Sequence, residues 1–333
     1  MANEREVNVI LNVKTGKADT KIKGVEKNLK STQSEAQKTG NALSQAFGQV
    51  GGPIGNLISR VKSLGTSFKT IAIGGGVAAI GAIGSLFVTA TKRGAEFAKA
   101  LSGLEAVTGA SNSEMRQLSN SAKELGSSTQ FTSKQVVGLQ TEFAKLGFTT
   151  KEILNATKST LDLAASLDVG LGEAASVAGS TLRAFGLETS ETQRVVDVMA
   201  ASTSSTALDF DALRESLKLV APTSRAMNVS IEETTALLGV LADNGLKGSI
   251  AGTGLSKTFI ELNKKGIPLN EALKQVANSS DQLNTAIDLV GVVGSKSLLT
   301  LANNAPKIDV LTESFENSAG AAKELAETRL DNL

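Results

Sequence analysis

Residues 7–13 alternate between apolar and polar: Val7, Val9, Leu11 and Val13 share one side, Asn8 and Asn12 the other. A period of two predicts a short strand. Lys14-Thr15-Gly16-Lys17 ends it, and Ile22, Val25 and Leu29 then recur at helical spacing among Lys, Glu, Gln and Ser. That pattern predicts a thin amphipathic helix, half of a coiled-coil seam, to about Ala46. Gly48, Gly51, Gly52, Pro53 and Gly55 mark a hinge after it.

The next segment changes character. Between Lys69 and Lys92 lie 22 residues without a charge, flanked by Arg60, Lys62 and Lys69 on one side and Lys92 and Arg93 on the other. About twenty apolar residues span a bilayer as a helix. Small residues stand four apart in Ala72/Gly76, Gly75/Ala79, Ala78/Ala82 and Gly81/Ser85, the spacing that lets helix backbones touch in lipid. Ala72, Gly75, Gly76, Ala79, Ile80, Gly81, Ile83, Gly84, Leu86 and Phe87 are therefore the candidate membrane or self-association face. The same residues also fit a buried central helix of a water-soluble oligomer, and both readings stand.

From residue 95 onward the pattern is a rhythm of short helices. Ser or Thr followed three positions later by Glu or Gln predicts capped starts at Ser111, Thr132, Thr149, Ser190 and Ser230. Gly109, Gly147, Gly186 and Asn228 sit where left-handed C-terminal caps belong, and each precedes a fresh start. A period near forty residues is that of a helix–turn–helix unit, which predicts three stacked helical hairpins. The expected class is all-α. An N-terminal strand and coiled-coil arm fill 1–47, a Gly-rich hinge and apolar helix 48–94, and a bundle or stack of short helical hairpins 95–333.

Composition narrows the chemistry. The chain contains no His and no Cys. Imidazole catalysis, His-ligated zinc, thiolate nucleophiles and disulfides are excluded with them. Eleven Phe are the only aromatic residues, so the helices must pack mainly through Ala, Leu, Val and Ile. Asp211 and Glu215 lie four apart with Asp209 before them, a conceivable carboxylate pair, but a capped and solvated helix start explains the same three residues. The Gly-rich run from Gly245 to Lys257 misses the phosphate-loop spacing and reads as a tight turn between two helices. No catalytic, cofactor-binding or metal-ligating residue emerges.

Charge is uneven. Residues 1–99 carry 14 Lys and Arg against 6 Asp and Glu, while the remainder carries the acidic excess. The basic arm suits a membrane or an acidic partner as well as it suits plain solvation. No Lys/Arg run is dense enough to argue for sequence-specific nucleic acid. Residues 1–20 hold no secretory signal, so synthesis in the cytoplasm is expected.

The order of segments from Phe97 onward resembles one family. FAKALSGLEAVTGASNSEM, KELGSSTQFTS, FAKLGFTTKEIL, STLRAFGL and VVDVMAASTSSTALDFDALRESLKLVAP are followed by LLGVLADNGLKGSIAGTGLSK and ELAETRLDNL. The succession is similar to the core region of tailed-phage tape-measure (phage-related minor tail) proteins. The resemblance implies a structural, non-enzymatic protein of the tail-tube lumen that sets tail length and leaves at the host envelope during DNA ejection. It implies several copies, a trimer or hexamer, and contacts with tail-tube and tail-tip proteins, assembly chaperones and the host membrane. Members are usually much longer, which leaves a fragment, a processed product or a short form. Fully extended, 333 helical residues would span about 500 Å at roughly 1.5 Å per residue. The alternative, resting on residues 70–91 alone, is a membrane-inserting pore-forming or translocator protein unconnected with a tail.

Overall fold

A computed structural model describes residues 77–330, with side chains from Lys92 to Arg329. The strand expected at 7–13, the coiled-coil arm and the hinge lie outside the described residues. Among the described residues all regular structure is helical, with thirteen α-helices, one 3-10 turn and no strand. They are α1 (Val77–Thr108), α2 (Asn112–Ser128), α3 (Ser133–Lys145), α4 (Thr150–Leu167), α5 (Leu171–Phe185), α6 (Thr192–Ser205), α7 (Phe210–Ala226), α8 (Ile231–Asp243), α9 (Gly248–Lys265), α10 (Leu269–Ala277), α11 (Gln282–Ala302), α12 (Ala305–Glu316) and α13 (Ala321–Leu330). The described residues from Thr91 onward pack as one unit.

Local chemistry starts and stops these helices. Ser111, Thr132 and Thr149 each accept the third backbone N–H of their helix, and the Glu or Gln there returns to the cap's own N–H. Such reciprocal boxes satisfy two orphan donors at once. Ser230 makes only its own half, accepting from Glu233 N at 3.1 Å. Ser190 makes none. Thr189–Glu191 is already wound into a 3-10 turn leading into α6, so Ser190 never reaches the extended conformation a cap requires. Gly109, Gly147, Gly186 and Asn228 have φ of 60°, 78°, 70° and 55°. Asn228 adopts this left-handed conformation despite its side chain, and Val229 N beyond it reaches back to Ser224 O at 2.9 Å.

Those four turns join α1/α2, α3/α4, α5/α6 and α7/α8, so each hairpin is one odd and one even helix. The period continues beyond them: Gly266, with φ of 67°, closes α9/α10, 38 residues after Asn228. The region therefore holds more hairpins than the three expected. Odd helices stack on odd, α3 on α5, α7, α9 and α11 in order. Even helices stack on even, α4 on α6 and α6 on α8. Near the end the pattern shifts. The nine-residue α10 packs chiefly on α11, and α12 takes the place beside α8. Last, α13 turns back to lie across α4 and α6.

Between the layers sits one continuous apolar core. It includes Leu163, Leu182, Met199, Leu213, Leu237, Leu241, Leu255 and Leu298, all fully buried, with Phe143, Phe259 and Phe315 as its largest side chains. Each hairpin also bonds to the next. Arg183 Nη2 donates to Gly147 O at 3.1 Å, and Arg194 Nη1 meets the buried Glu232 at 2.5 Å, 36 and 38 residues apart. Nearest-neighbour contacts of this kind define a helical repeat stack. Because these helices fold back on one another, residues 91–330 do not take the extended form of a fully stretched ruler.

Candidate functional site

Two places in the stack have unusual local chemistry. The first is the seam formed by α7, α9 and α11. Only Gly245–Lys247 of the Gly-rich run lies between helices; Gly248 onward is helix α9. A Cβ at Gly252 would stand 2.7 Å from Ser216 O and 2.8 Å from Ser216 Cα, so the backbone of α7 occupies its place. A Cβ at Gly254 would collide with Ser297 Oγ on α11. The two glycines thus face opposite neighbours, and α9 is pressed between both. Hydroxyls line the gaps: Ser216 Oγ donates to Gly248 O at 2.8 Å, and Thr258 Oγ1 donates to Gly294 O at 3.3 Å. The seam is a packing device, and a phosphate would find no open loop there.

Helix α11 breaks inside this seam. Gly291 has φ 72° and ψ 172°, a conformation essentially reserved for glycine, and splits the helix in two. Val292 and Val293 beyond it are 75% and 58% exposed. Among the described residues α11 is the one helix long and apolar enough to cross a bilayer, yet half of that stretch is buried against its neighbours. Burial and the break both mark it as a core helix.

The second place is Asp197, a carboxylate on α6 that is 1% exposed within the apolar run Val195–Ala200. Its Oδ2 accepts from Gly320 N at 2.9 Å and its Oδ1 from Ala322 N at 3.0 Å, capping α13 from more than 120 residues away. Gln193 Nε2 donates to the same Oδ1 at 3.0 Å, and Gln193 Oε1 accepts from Ser159 Oγ of α4 at 2.8 Å. One network therefore joins α4, α6 and the first turn of α13, where backbone donors and helix dipole favour a negative charge. Nearby on α4, burial pushes the Asp162 carboxyl above its ordinary range. Lys158 and Lys323 oppose that, while Asp197 and Glu327 reinforce it.

The carboxylates singled out by spacing do something plainer. Asp209 Oδ1 accepts from Ala212 N at 2.8 Å and caps α7. Asp211 and Glu215 both contact Arg214, at 3.2 and 3.3 Å, and Arg214 also pairs with Glu173. One guanidinium thus ties down three carboxylates, so no general acid and base face each other across a cleft. Among the described residues no group of three or more His, Cys, Asp or Glu is placed to hold a metal ion. A small cavity of about 310 Å³ between α3 and α5, lined by Gln135, Gly138, Leu139, Glu142, Leu171 and Gly172, brings a single carboxylate to its wall.

Of the apolar-segment residues, Ala72, Gly75 and Gly76 lie outside the described residues. Ala79, Ile80, Gly81, Ile83, Gly84, Leu86 and Phe87 fall on α1 before the described side chains begin. Asp197 was not singled out from sequence, and Gly252 and Gly254 were expected in a turn where the structure has helix α9. The first had a signal, an acid in the middle of Val195-Val196-Asp197-Val198-Met199. A charge there is stable only with a dedicated partner.

A stack of short helical hairpins, without a catalytic cluster among the described residues, carries the succession of segments that begins at Phe97. Residues 119–328, nearly all of α2–α13, match the family described as phage-related minor tail protein. The chain belongs to that family. A tape measure protein of Pneumococcus phage Dp-1 is 32% identical over 329 residues, covering 90% of this chain and 27% of the relative. A probable tape measure protein of Escherichia phage P2 is 31% identical over 295 residues, covering 79% and 36%. One of Clostridium phage phiCD119 is 25% identical over 261 residues, covering 68% and 28%. The chain spans about a quarter to a third of the length of these minor tail proteins. No solved structure matches it.

Proposed function

We propose that this chain is the helical core region of a tail tape-measure protein, a structural component of the tail-tube lumen that takes part in setting tail length and is released at the host envelope during ejection. The single observation that carries this reading is the family match across α2–α13, joined to relatives named tape measure proteins. The bonding of Asp209, Asp211 and Glu215 supports a structural rather than catalytic role.

The division proposed is an arm at 1–47, a hinge and apolar helix at 48–94, and the hairpin core at 95–333. Within it, residues 70–91 are the membrane-active and self-associating segment, through the face that runs from Ala72 to Phe87. Partners are further copies of the chain as a trimer or hexamer, tail-tube and tail-tip proteins, assembly chaperones, and the host membrane on ejection. The folded-back hairpins support a refinement: the core serves as a compact body, and length is counted by extended chain elsewhere in the protein.

Mass spectrometry and cryo-electron microscopy of purified tails test the reading. Peptides from 95–333 should be present, with helical density inside the tube. Tails that lack the chain would sink it.

A further inference from the structure

Helix α13, the last one described, is held differently from its neighbour α12. Helix α12 is seated by three large apolar side chains, Ile308, Leu311 and Phe315, all buried. Among its described side chains α13 buries only Ala322 and Ala326, with Leu325 half-buried. Lys323, Glu324, Glu327 and Arg329 face solvent. Two alanines bury little apolar surface, so the hydrophobic effect holds this helix weakly. The floor beneath is polar as well: Asp162, Asp197, Ser159 and Gln193 lie on the two helices it crosses. Asp162 Oδ2 is buried there without a hydrogen-bond partner.

We propose that α13 is a strap that undocks from α4 and α6 as a unit while the hairpin stack stays folded, and that the Asp197 carboxylate is the catch that holds it. The catch acts on backbone N–H groups of Gly320 and Ala322, so it grips the first turn of the helix and nothing further along. The joint lies at Asn317–Gly320, where Gly320 holds φ at 88°. Undocking frees both N–H groups to water and hydrates a carboxylate that is otherwise sealed in. The cost is therefore concentrated in one polar contact, while the main apolar core is left intact. Local openings with such a small apolar component lie well below global unfolding in free energy. The vacated groove carries the Asp197 carboxylate at the position of a helix N-terminus, so it is shaped to take this helix back.

Because the chain contains no Cys, single-cysteine labelling reads the motion directly. Ala322→Cys reports the strap, and Ala175→Cys, fully buried on α5, reports the stack. Both are made in the full 333-residue chain and labelled under native conditions with a small thiol reagent. The expected result is labelling at position 322 at least tenfold faster than at 175. Asp197→Asn, which replaces one acceptor by a donor, should speed labelling at 322 about a further tenfold and leave 175 within twofold. Equal rates at 322 and 175 in the parent background would overturn the proposal, because the strap would then open only with the whole fold. So would an Asp197→Asn variant that speeds both sites by one factor, or neither.

Discussion

The seam of α7, α9 and α11 and the strap of α13 are both built from small residues, yet small size serves opposite ends in them. At Gly252 the missing side chain lets two helix backbones meet, and Ser216 O stands where a Cβ would be. At Ala322 and Ala326 the small side chains are the only ones the strap buries among its described residues, with Leu325 half-buried beside them, and a carboxylate does the holding. Close backbone approach makes a contact that fails only as a whole. A polar catch on a thin apolar base makes one that lets go alone.

The sharpest way to break the seam is Gly252→Ala. Alanine favours a helix over glycine by about 1 kcal/mol. Against that, its methyl must displace the backbone of α7, and overpacking of a rigid site costs about 1–3 kcal/mol, occasionally more. We expect a net loss of up to about 2 kcal/mol in urea unfolding, with the stack site labelled faster and the strap site, which opens locally, nearly unchanged. A variant as stable as the parent would show that α7 yields easily.

Gly291→Ala attacks the same seam through the backbone alone. Its new methyl gains no contact and meets no obstacle, since nothing lies within 4 Å of the place a Cβ would take. The cost is conformational, about 1–3 kcal/mol for a side chain forced into a glycine-only region. Thermal unfolding should show a drop near the middle of that range. An unchanged midpoint would mean the break in α11 is not maintained.

How much of this was legible beforehand follows from the range of each interaction. Capping is local, and Ser111, Thr132 and Thr149 announce their helices within four residues. The turns at Gly147 and Asn228 are likewise written where they occur. The turn at Asp168 (φ 56°) was missed because aspartate there carries no glycine-like signal. The seam could not be read, since Gly252 and Gly254 acquire their meaning from Ser216 and Ser297, more than thirty residues away on either side. Asp197 was the readable exception that went unread. Its backbone partners lie past residue 319, but a lone acid among valines states that some partner exists. The candidate chemistry at Asp211 and Glu215 dissolved for a related reason, because Arg214 between them and Glu173 on α5 complete an ion-pair cluster.

Gly254→Ala sharpens the contrast by separating side chain from backbone. Here the obstacle is Ser297 Oγ, the end of a side chain rather than a carbonyl. Alone, the substitution should cost about 1 kcal/mol. Combined with Ser297→Ala the Oγ clash is gone and only the Cβ of residue 297, 3.3 Å away, still presses, so most of the helix-propensity gain of about 1 kcal/mol remains. The double variant should therefore be more stable than Ser297→Ala by itself, a sign reversal measurable in a double-mutant cycle. Strict additivity would contradict the contact. No such rescue is open to Gly252, whose neighbour is main chain.

The smallest effect belongs to the floor of the strap. Burial is the main reason the Asp162 carboxyl is raised, with Asp197 and Glu327 adding to it and Lys158 and Lys323 opposing. A carboxyl whose folded pKa lies above its unfolded one binds more protons in the folded state. Its favourable contribution is complete below the unfolded pKa and is lost as pH rises through the folded one. At neutral pH the ionised Asp162 therefore works against docking, and Asp162→Asn should remove that opposition. The gain should be below about 1 kcal/mol, because Lys158 at 3.9 Å already offsets part of the charge. It should vanish on acidification through the carboxylate range, where the parent is protonated and the two proteins become alike. Labelling at Ala322→Cys reads it locally, slower in the Asn background at about pH 7 and equal to the parent at low pH. The opposite trend, with Asn labelling faster at neutral pH, would mean that the ionised carboxylate holds the strap through Lys323 and that burial is the lesser force.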